Sequence, residues 1–281
     1  MILICDFSPI AFYILGFPIH WYSLAYIFGI MFAFMLAEHL SDTIVRHITR
    51  KNSNRENALS LFKVPSKDDL ESFLNYAVIG IVIGGRLGHV LLYDFDYYSS
   101  SPIEILKVWK GGMSFFGGFI GSVSAAAIFC YFRKINLLNF ADLWSVGVPI
   151  GLFFGRVANF INGELLGKES NSIAWAVAFK DGVNRHPSQL YEALFEGVIL
   201  FCVMLFFSYI KRLYLYKGAL SGIFCAGYGV GRFICEFFRE PDSLFSYNLL
   251  IKSGLNLNQY MSIGIFIFGV FLLYRCTAND E

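Results

Sequence analysis

Seven stretches of this chain are too apolar and too long for ordinary strands or loops: 21–37, 73–93, 113–132, 143–161, 190–210, 219–238 and 260–274. A bilayer core takes about 20 helical residues to cross. Its lack of water forces the backbone to satisfy its own hydrogen bonds within each segment. The pattern predicts an all-α, polytopic membrane protein with seven transmembrane helices, built as one integral-membrane domain over 1–281. Charge supports this: 15% of the residues are Asp, Glu, Lys or Arg, against about 25% in soluble domains. A net charge of +1 supplies no basic field for nucleic acid.

Lys and Arg decide the orientation. Arg46, Arg50, Lys51, Arg55, Lys63 and Lys67 fall in a polar loop at 39–71, and Arg133-Lys134, Lys211-Arg212, Lys217 and Arg275 fall on the same side. That side is cytoplasmic by the positive-inside rule. The N-terminus is then outside and the C-terminus inside, with 94–112, 163–187 and 239–259 on the outer side. Residues 1–18, broken by Pro9, Gly16 and Pro18, read as an interfacial segment without a secretory signal. Cys5, Cys130, Cys202, Cys225, Cys235 and Cys276 lie mostly in apolar runs without metal-type spacing. They read as small buried hydrophobes, so no metal or cofactor is expected.

Glycines recur at every fourth position: Gly80, Gly84 and Gly88; Gly147, Gly151 and Gly155; and the pairs Gly117/Gly121, Gly218/Gly222 and Gly227/Gly231. Such stripes let membrane helices approach closely. Against this apolar background, residues 151–167 hold Arg156, Asn159, Asn162 and Glu164. A charge at the bilayer centre costs at least ~2.5–3.5 kcal/mol on insertion scales and usually serves a site. Gly85-Arg86, Gly155-Arg156 and Gly231-Arg232 repeat one device in three helices of the same direction. The topology puts the three arginines in the outer half. Guanidinium groups there suit a phosphate, which they grip in a bidentate fork; the structural reading pairs each with a carboxylate. Arg232 and Glu236 are spaced i, i+4 for such a pair. Glu192 and Glu196 repeat that spacing without a basic partner on their own face. Arg156, Asn159 and Gly163 share one face that suits a phospholipid headgroup. His20-Trp21-Tyr22 and the 186–192 run open the first and fifth spans, with Trp21 as an interface anchor.

Taken together, these segments resemble the prolipoprotein diacylglyceryl transferase family. The matching residues are His20-Trp-Tyr22, Gly84-Gly-Arg-Leu-Gly88, Gly111-Gly-Met-Ser-Phe115 with Gly117-Gly118, and Gly155-Arg156 through Gly167. His186-Pro-Ser-Gln-Leu-Tyr-Glu192 and the 227–236 run complete the set. The resemblance implies an inner-membrane enzyme whose site faces the outer leaflet. It implies transfer of the diacylglyceryl group of phosphatidylglycerol to the lipobox cysteine of a prolipoprotein, giving a thioether and glycerol 1-phosphate. It also implies functional roles for Tyr22, Arg156, Asn159, Glu164, Gly167, Tyr228, Arg232 and Glu236, with Arg156 matching the arginine that binds phosphatidylglycerol. Arg86 and His186 are further candidates for binding substrate. Two positions depart from the family: Ala158 replaces a glycine, and Phe116 replaces a histidine assigned as acceptor of the thiol proton. Glu164, Glu236 or His186 could take that proton, or arginine-assisted ionisation of the thiol could suffice. A weakly active or inactive member is the remaining option. A transporter is the competing reading from another class, since intramembrane charges also line pathways.

Overall fold

The computed structural model describes residues 3–4, 7–51, 64–92, 94–241 and 244–278. They are mostly helical: α1 (Trp21–Lys51), α2 (Lys67–Leu92), α3 (Phe95–Ser100), α4 (Phe115–Arg133), α5 (Leu137–Ser145), α6 (Val148–Asn162), α7 (Ser188–Ile210), α8 (Ala219–Cys235), α9 (Leu244–Ser253) and α10 (Leu257–Ala278). Each expected apolar run coincides with helix. Among the described residues, four helices are long and apolar enough to cross a membrane, or five if the bent pair α5–α6 counts as one crossing.

Three expectations change. The loop placed at 39–71 begins later, because α1 continues to Lys51. Buried Leu40, Ile44 and Ile48 recur at helical spacing, so the polar residues between them occupy the other face of an amphipathic helix. The loop centre, with Arg55 and Lys63, lies outside the described residues, as do Cys5, Tyr93 and Asp242. The run at 143–161 is bent by 47° between α5 and α6. Pro149 stands at the start of α6, where a missing N–H is harmless in the new helix but would have broken a continuous one. Finally, the chain is not purely helical. Residues 10–20 form a hairpin of β2 (Ile10–Ile14) and β3 (Phe17–His20). Separately, β1 (Leu3–Ile4) lies parallel to β4 (Val177–Ala178), which pairs antiparallel with β5 (Asn184–Arg185).

The chain divides into two compact units. In the unit Leu40–Ala141, α2 and α4 pack antiparallel along their glycine stripes. A Cβ on Gly84 would collide with Gly117 O and would come within 2.7 Å of Gly121 Cα, and one on Gly80 would stand 2.6 Å from Gly121 O. At the far end Phe73, Phe129 and Phe140 form an aromatic cluster, Phe73 and Phe140 meeting edge to face at 4.8 Å. Ser66 and Asp69 start α2 with a reciprocal capping box: Ser66 N donates to Asp69 Oδ2 at 3.0 Å and Asp69 N to Ser66 Oγ at 3.2 Å.

In the unit Met1–His39 with Asp142–Glu281, Gly29 meets Gly151 and Gly147 meets Ala33, while Gly222 and Gly269 bring α8 and α10 together. Asp142 caps α8 from another helix: Gly218 N, Ser221 N and Ser221 Oγ all donate to its carboxylate at 2.7 Å. The start of α10 is closed by Asn256 and Gln259, whose side chains each accept from the other's backbone N–H. Helix α7 is π-helical over Ala193–Ile199, a distortion that often accompanies functional groups.

Replacing Gly84 by leucine is expected to cost the folded state several kcal/mol, since overpacking one close helix contact already costs about 1–3 kcal/mol. Gly264→Ala, where nothing lies within 4 Å, is expected to be silent. Thermal unfolding of the purified protein in detergent, followed by circular dichroism, compares the two.

Candidate active site

The geometry begins where α6 ends. Gly163 adopts a left-handed φ of 69°, Gly163 N donates to Phe160 O at 3.1 Å and Glu164 N to Asn159 O at 3.0 Å. This Schellman-type ending turns the chain back at once. Glu164 is thereby brought to Tyr22 at the start of α1, whose hydroxyl donates to Glu164 Oε2 at 2.6 Å. Asn159 Nδ2 donates to the same tyrosine oxygen. The Glu164 carbonyl is held by Gln189 Nε2 at 2.6 Å. Tyr22, Asn159 and Glu164, expected from the sequence as site residues, therefore form one hydrogen-bonded chain.

One turn back on α6, Arg156 enters a buried cluster of ions. Its Nε lies 2.9 Å from Glu192 Oε2 and its Nη2 lies 3.3 Å from Glu196 Oε2. Glu192 Oε1 also receives Arg232 Nη1 at 2.6 Å and Arg239 Nη1 at 3.2 Å. Arg232 Nη2 reaches Glu236 Oε2 at 2.8 Å, confirming the i, i+4 pair read from the sequence. Glu236 Oε1 in turn accepts from Asn256 at 3.2 Å and Asn258 at 2.9 Å, tying the cluster to α10. Tyr228 faces the same charges: those of Glu196, Arg232, Arg156 and Glu192 act on its hydroxyl. Three arginines and three glutamates thus balance in a space nearly closed to water.

The arginines are used differently. A guanidinium carries five N–H donors. Arg156 donates one hydrogen bond, to Glu196, and pairs with Glu192 Oε2 by charge without one, so most of its donors have no protein partner among the described residues. About 14% of its side chain remains exposed. Arg86 has none left. Its Nε donates to Ile105 O at 2.8 Å, Nη1 to Gly111 O and Gly112 O, and Nη2 to Glu104 O and Lys107 O. The Tyr98 ring lies 5.0 Å from its charge. In this structure Arg86 therefore organises the loop at 104–112 of its own unit and offers no donor to a substrate phosphate.

Gly167 is where three segments converge. A Cβ there would collide with His186 O and would stand 3.0 Å from Phe238 O. Lys168 N donates to Phe238 O at 2.9 Å and Glu240 N to Leu166 O at 3.2 Å, so 166–168 runs beside 238–240. Arg185 closes this region on Glu240 at 2.7 Å and Asp181 at 2.9 Å. Burial would lower the Arg185 pKa, but these two carboxylates more than offset it and hold it above its ordinary value. His186 Nδ1 lies 3.3 Å from the Tyr191 hydroxyl. Burial first, and the Lys168 charge second, hold the imidazole below its ordinary value, so His186 is neutral at neutral pH.

Sequence reasoning missed Arg239 and the partners of Glu192 and Glu196. A signal existed for both. Arg239 follows Arg232 by seven and Glu236 by three, a spacing that would place all three on one face of a continued helix, although the chain is already extended at Arg239. Two glutamates in an apolar helix, unpartnered on that helix, demand cations from elsewhere because burying a lone charge is prohibitive. Phe116 lies in the first turn of α4.

These features define a multi-pass membrane protein with a buried, arginine-rich site on its helices. The chain belongs to the prolipoprotein diacylglyceryl transferase family, whose sequence profile it matches over residues 9–275. It is 42% identical over 276 residues to the phosphatidylglycerol–prolipoprotein diacylglyceryl transferase of Rickettsia bellii (strain OSU 85-389), covering 98% of this chain and 97% of that one. The enzyme of the same name from Wolbachia sp. subsp. Drosophila simulans (strain wRi) is 44% identical over 97% of this chain and 95% of its own. That of Azospirillum brasilense is 40% identical over 95% and 93%.

Gly167→Ala is expected to destabilise the protein by about 1–3 kcal/mol through forced separation of backbone segments. Gly155→Ala, with open space around its Cβ, is expected to leave the melting temperature unchanged. The two melting temperatures, read side by side, check this.

Proposed function

We propose that this protein transfers the diacylglyceryl group of phosphatidylglycerol to the lipobox cysteine of a prolipoprotein, releasing glycerol 1-phosphate. The supporting observation is Arg156, a largely buried cation with most of its donors uncommitted beside the Tyr22–Asn159–Glu164 chain. Full-length identity to enzymes of that name supports the same reading, and nothing in the comparisons favours a transporter. In this reading 1–281 is a single integral-membrane domain of the bacterial inner membrane, with seven crossings, the N-terminus outside and the site open to the outer leaflet. The basic side of the chain supports that orientation.

Arg156 holds the headgroup phosphate and Arg232 reinforces its field. The thiol sulfur attacks the glyceryl carbon that bears the phosphate. A C–S bond forms, the C–O bond breaks, and the electron pair stays on the phosphate oxygen, where the guanidinium charge stabilises it. The thiol proton passes to Glu164. Of the three acceptors open from the sequence, Glu236 is buried, with Oε2 paired to Arg232 and Oε1 accepting from Asn256 and Asn258, and His186 sits with Tyr191. Glu164 accepts only through Oε2 and is exposed. Asn159 and Tyr22 orient it, Glu236 fixes Arg232, and Tyr228 lines the ionic cluster. Gly167 and His186 shape the outer rim, and Arg86 supports its loop.

Transfer to a lipobox peptide in phosphatidylglycerol membranes tests this. Arg156→Ala is expected to lower transfer about 10²–10³-fold, the cost of losing one anion-stabilising group; undiminished transfer removes Arg156 from the mechanism. Glu164→Gln is expected to cost about 10²-fold while Phe116→His leaves the rate nearly unchanged. A large gain from Phe116→His would show that the native chain lacks an adequate proton acceptor, against the role given to Glu164.

A further inference from the structure

We propose that Glu196 sets the charge selectivity of this site, accepting an anion with one negative charge and disfavouring one with two. The inference rests on the phosphatidylglycerol reading above. Glu192 already joins all three arginines through its two oxygens. Glu196 is wholly buried yet makes one hydrogen bond, from Arg156 Nη2, while its Oε1 stands 3.6 Å from Arg232 Nη1 without one. Glu192 and Glu236 each also have one oxygen without a hydrogen bond, but each accepts two through its other oxygen, so Glu196 is the least satisfied of the three carboxylates. Burying it is expensive, and packing alone gives no reason to keep it.

Charge gives that reason. Arg156, Arg232 and Arg239 against Glu192 and Glu236 leave one net positive charge, and Glu196 brings the sum to zero. The groups that face Glu196 are Glu192 from its own helix, Arg156 from α6, and Arg232, Tyr228 and Cys235 from α8. The Gly231 backbone passes beside its stem. A site left at +1 would hold a doubly charged anion best, whereas a neutral one gains little from the second charge and is repelled by the fixed carboxylates. The substrate is a phosphodiester with one charge. The product is a phosphomonoester, whose second ionisation falls near pH ~6, so it is close to doubly charged at neutral pH. Glu196 therefore turns the reaction's change of phosphate charge into departure of the product.

The test uses the full chain in zwitterionic nanodiscs, with displacement of a fluorescent phosphatidylglycerol by two soluble probes. Glycerol 1-phosphate represents the monoester and glycerophosphoglycerol the diester. The wild type is expected to lose monoester affinity several-fold as pH rises from about 5.5 to about 7.5, with diester affinity flat. Glu196→Gln is expected to shift the monoester-to-diester affinity ratio toward the monoester by roughly tenfold at the higher pH, the scale of one charge in a partly screened interior. An unchanged ratio in Glu196→Gln, or tighter monoester binding by the wild type as pH rises, overturns the proposal. The wild-type pH series decides even if the variant does not fold. If the fluorescent phosphatidylglycerol itself does not bind the wild type, the underlying lipid reading fails and takes this inference with it, a result distinct from an unchanged ratio.

Discussion

The bridge that Glu192 makes to Arg156, Arg232 and Arg239 is the interaction on which the rest of this structure depends. Removing one partner from a buried ion pair costs about 3–5 kcal/mol, because the other charge is left uncompensated. Here one carboxylate contacts three guanidinium groups, so α6, α7, α8 and the segment just after it must keep a fixed register. The close packing of Gly197 on Phe153 and of Gly231 near Phe195 keeps those helices close enough for short ionic contacts. Packing and electrostatics specify the same arrangement, and neither would suffice alone.

The fixed register has a chemical consequence. Carboxylates that hold arginines in place also lower the site's net charge, so the site is preorganised without being a deep well for any anion. Arg156 is the most exposed of the three arginines, and it stands next to a hydrogen-bonded chain that runs from α6 to an exposed carboxylate. That combination suits a reaction which must bind one anion, stabilise developing charge and release another.

Much of this was legible in the sequence. Apolar length located every main helix, and intramembrane charge pointed to Arg156, Asn159 and Glu164 before any contact was known. Two things were not legible. Helix ends depend on faces and breaks rather than on mean hydropathy, so α1 ran past its apolar run and α5–α6 bent at Pro149. Pairing between helices depends on where side chains point, so the Glu192 bridge and the role of Arg239 could be demanded by desolvation but not assigned. The short strand β1 at the N-terminus pairs with residues some 170 positions away, a contact that no local pattern encodes.

Arg86 shows why the repeated Gly-Arg device could not be read alone. Arg86 and Arg156 follow glycines in the same way and belong to the same residue class. A guanidinium's availability, however, is set by how many of its five donors the fold consumes. Arg86 meets five backbone carbonyls of one tight loop, a neutral surround that takes every donor. Arg156 meets two carboxylates, a charged surround to which it donates one hydrogen bond. The neutral surround leaves more charge and no donors; the charged one leaves less charge and most of the donors. Binding an anion by a fork requires donors first, so of two arginines with the same local sequence, the more heavily neutralised one is the one whose donors the proposed phosphate role can use.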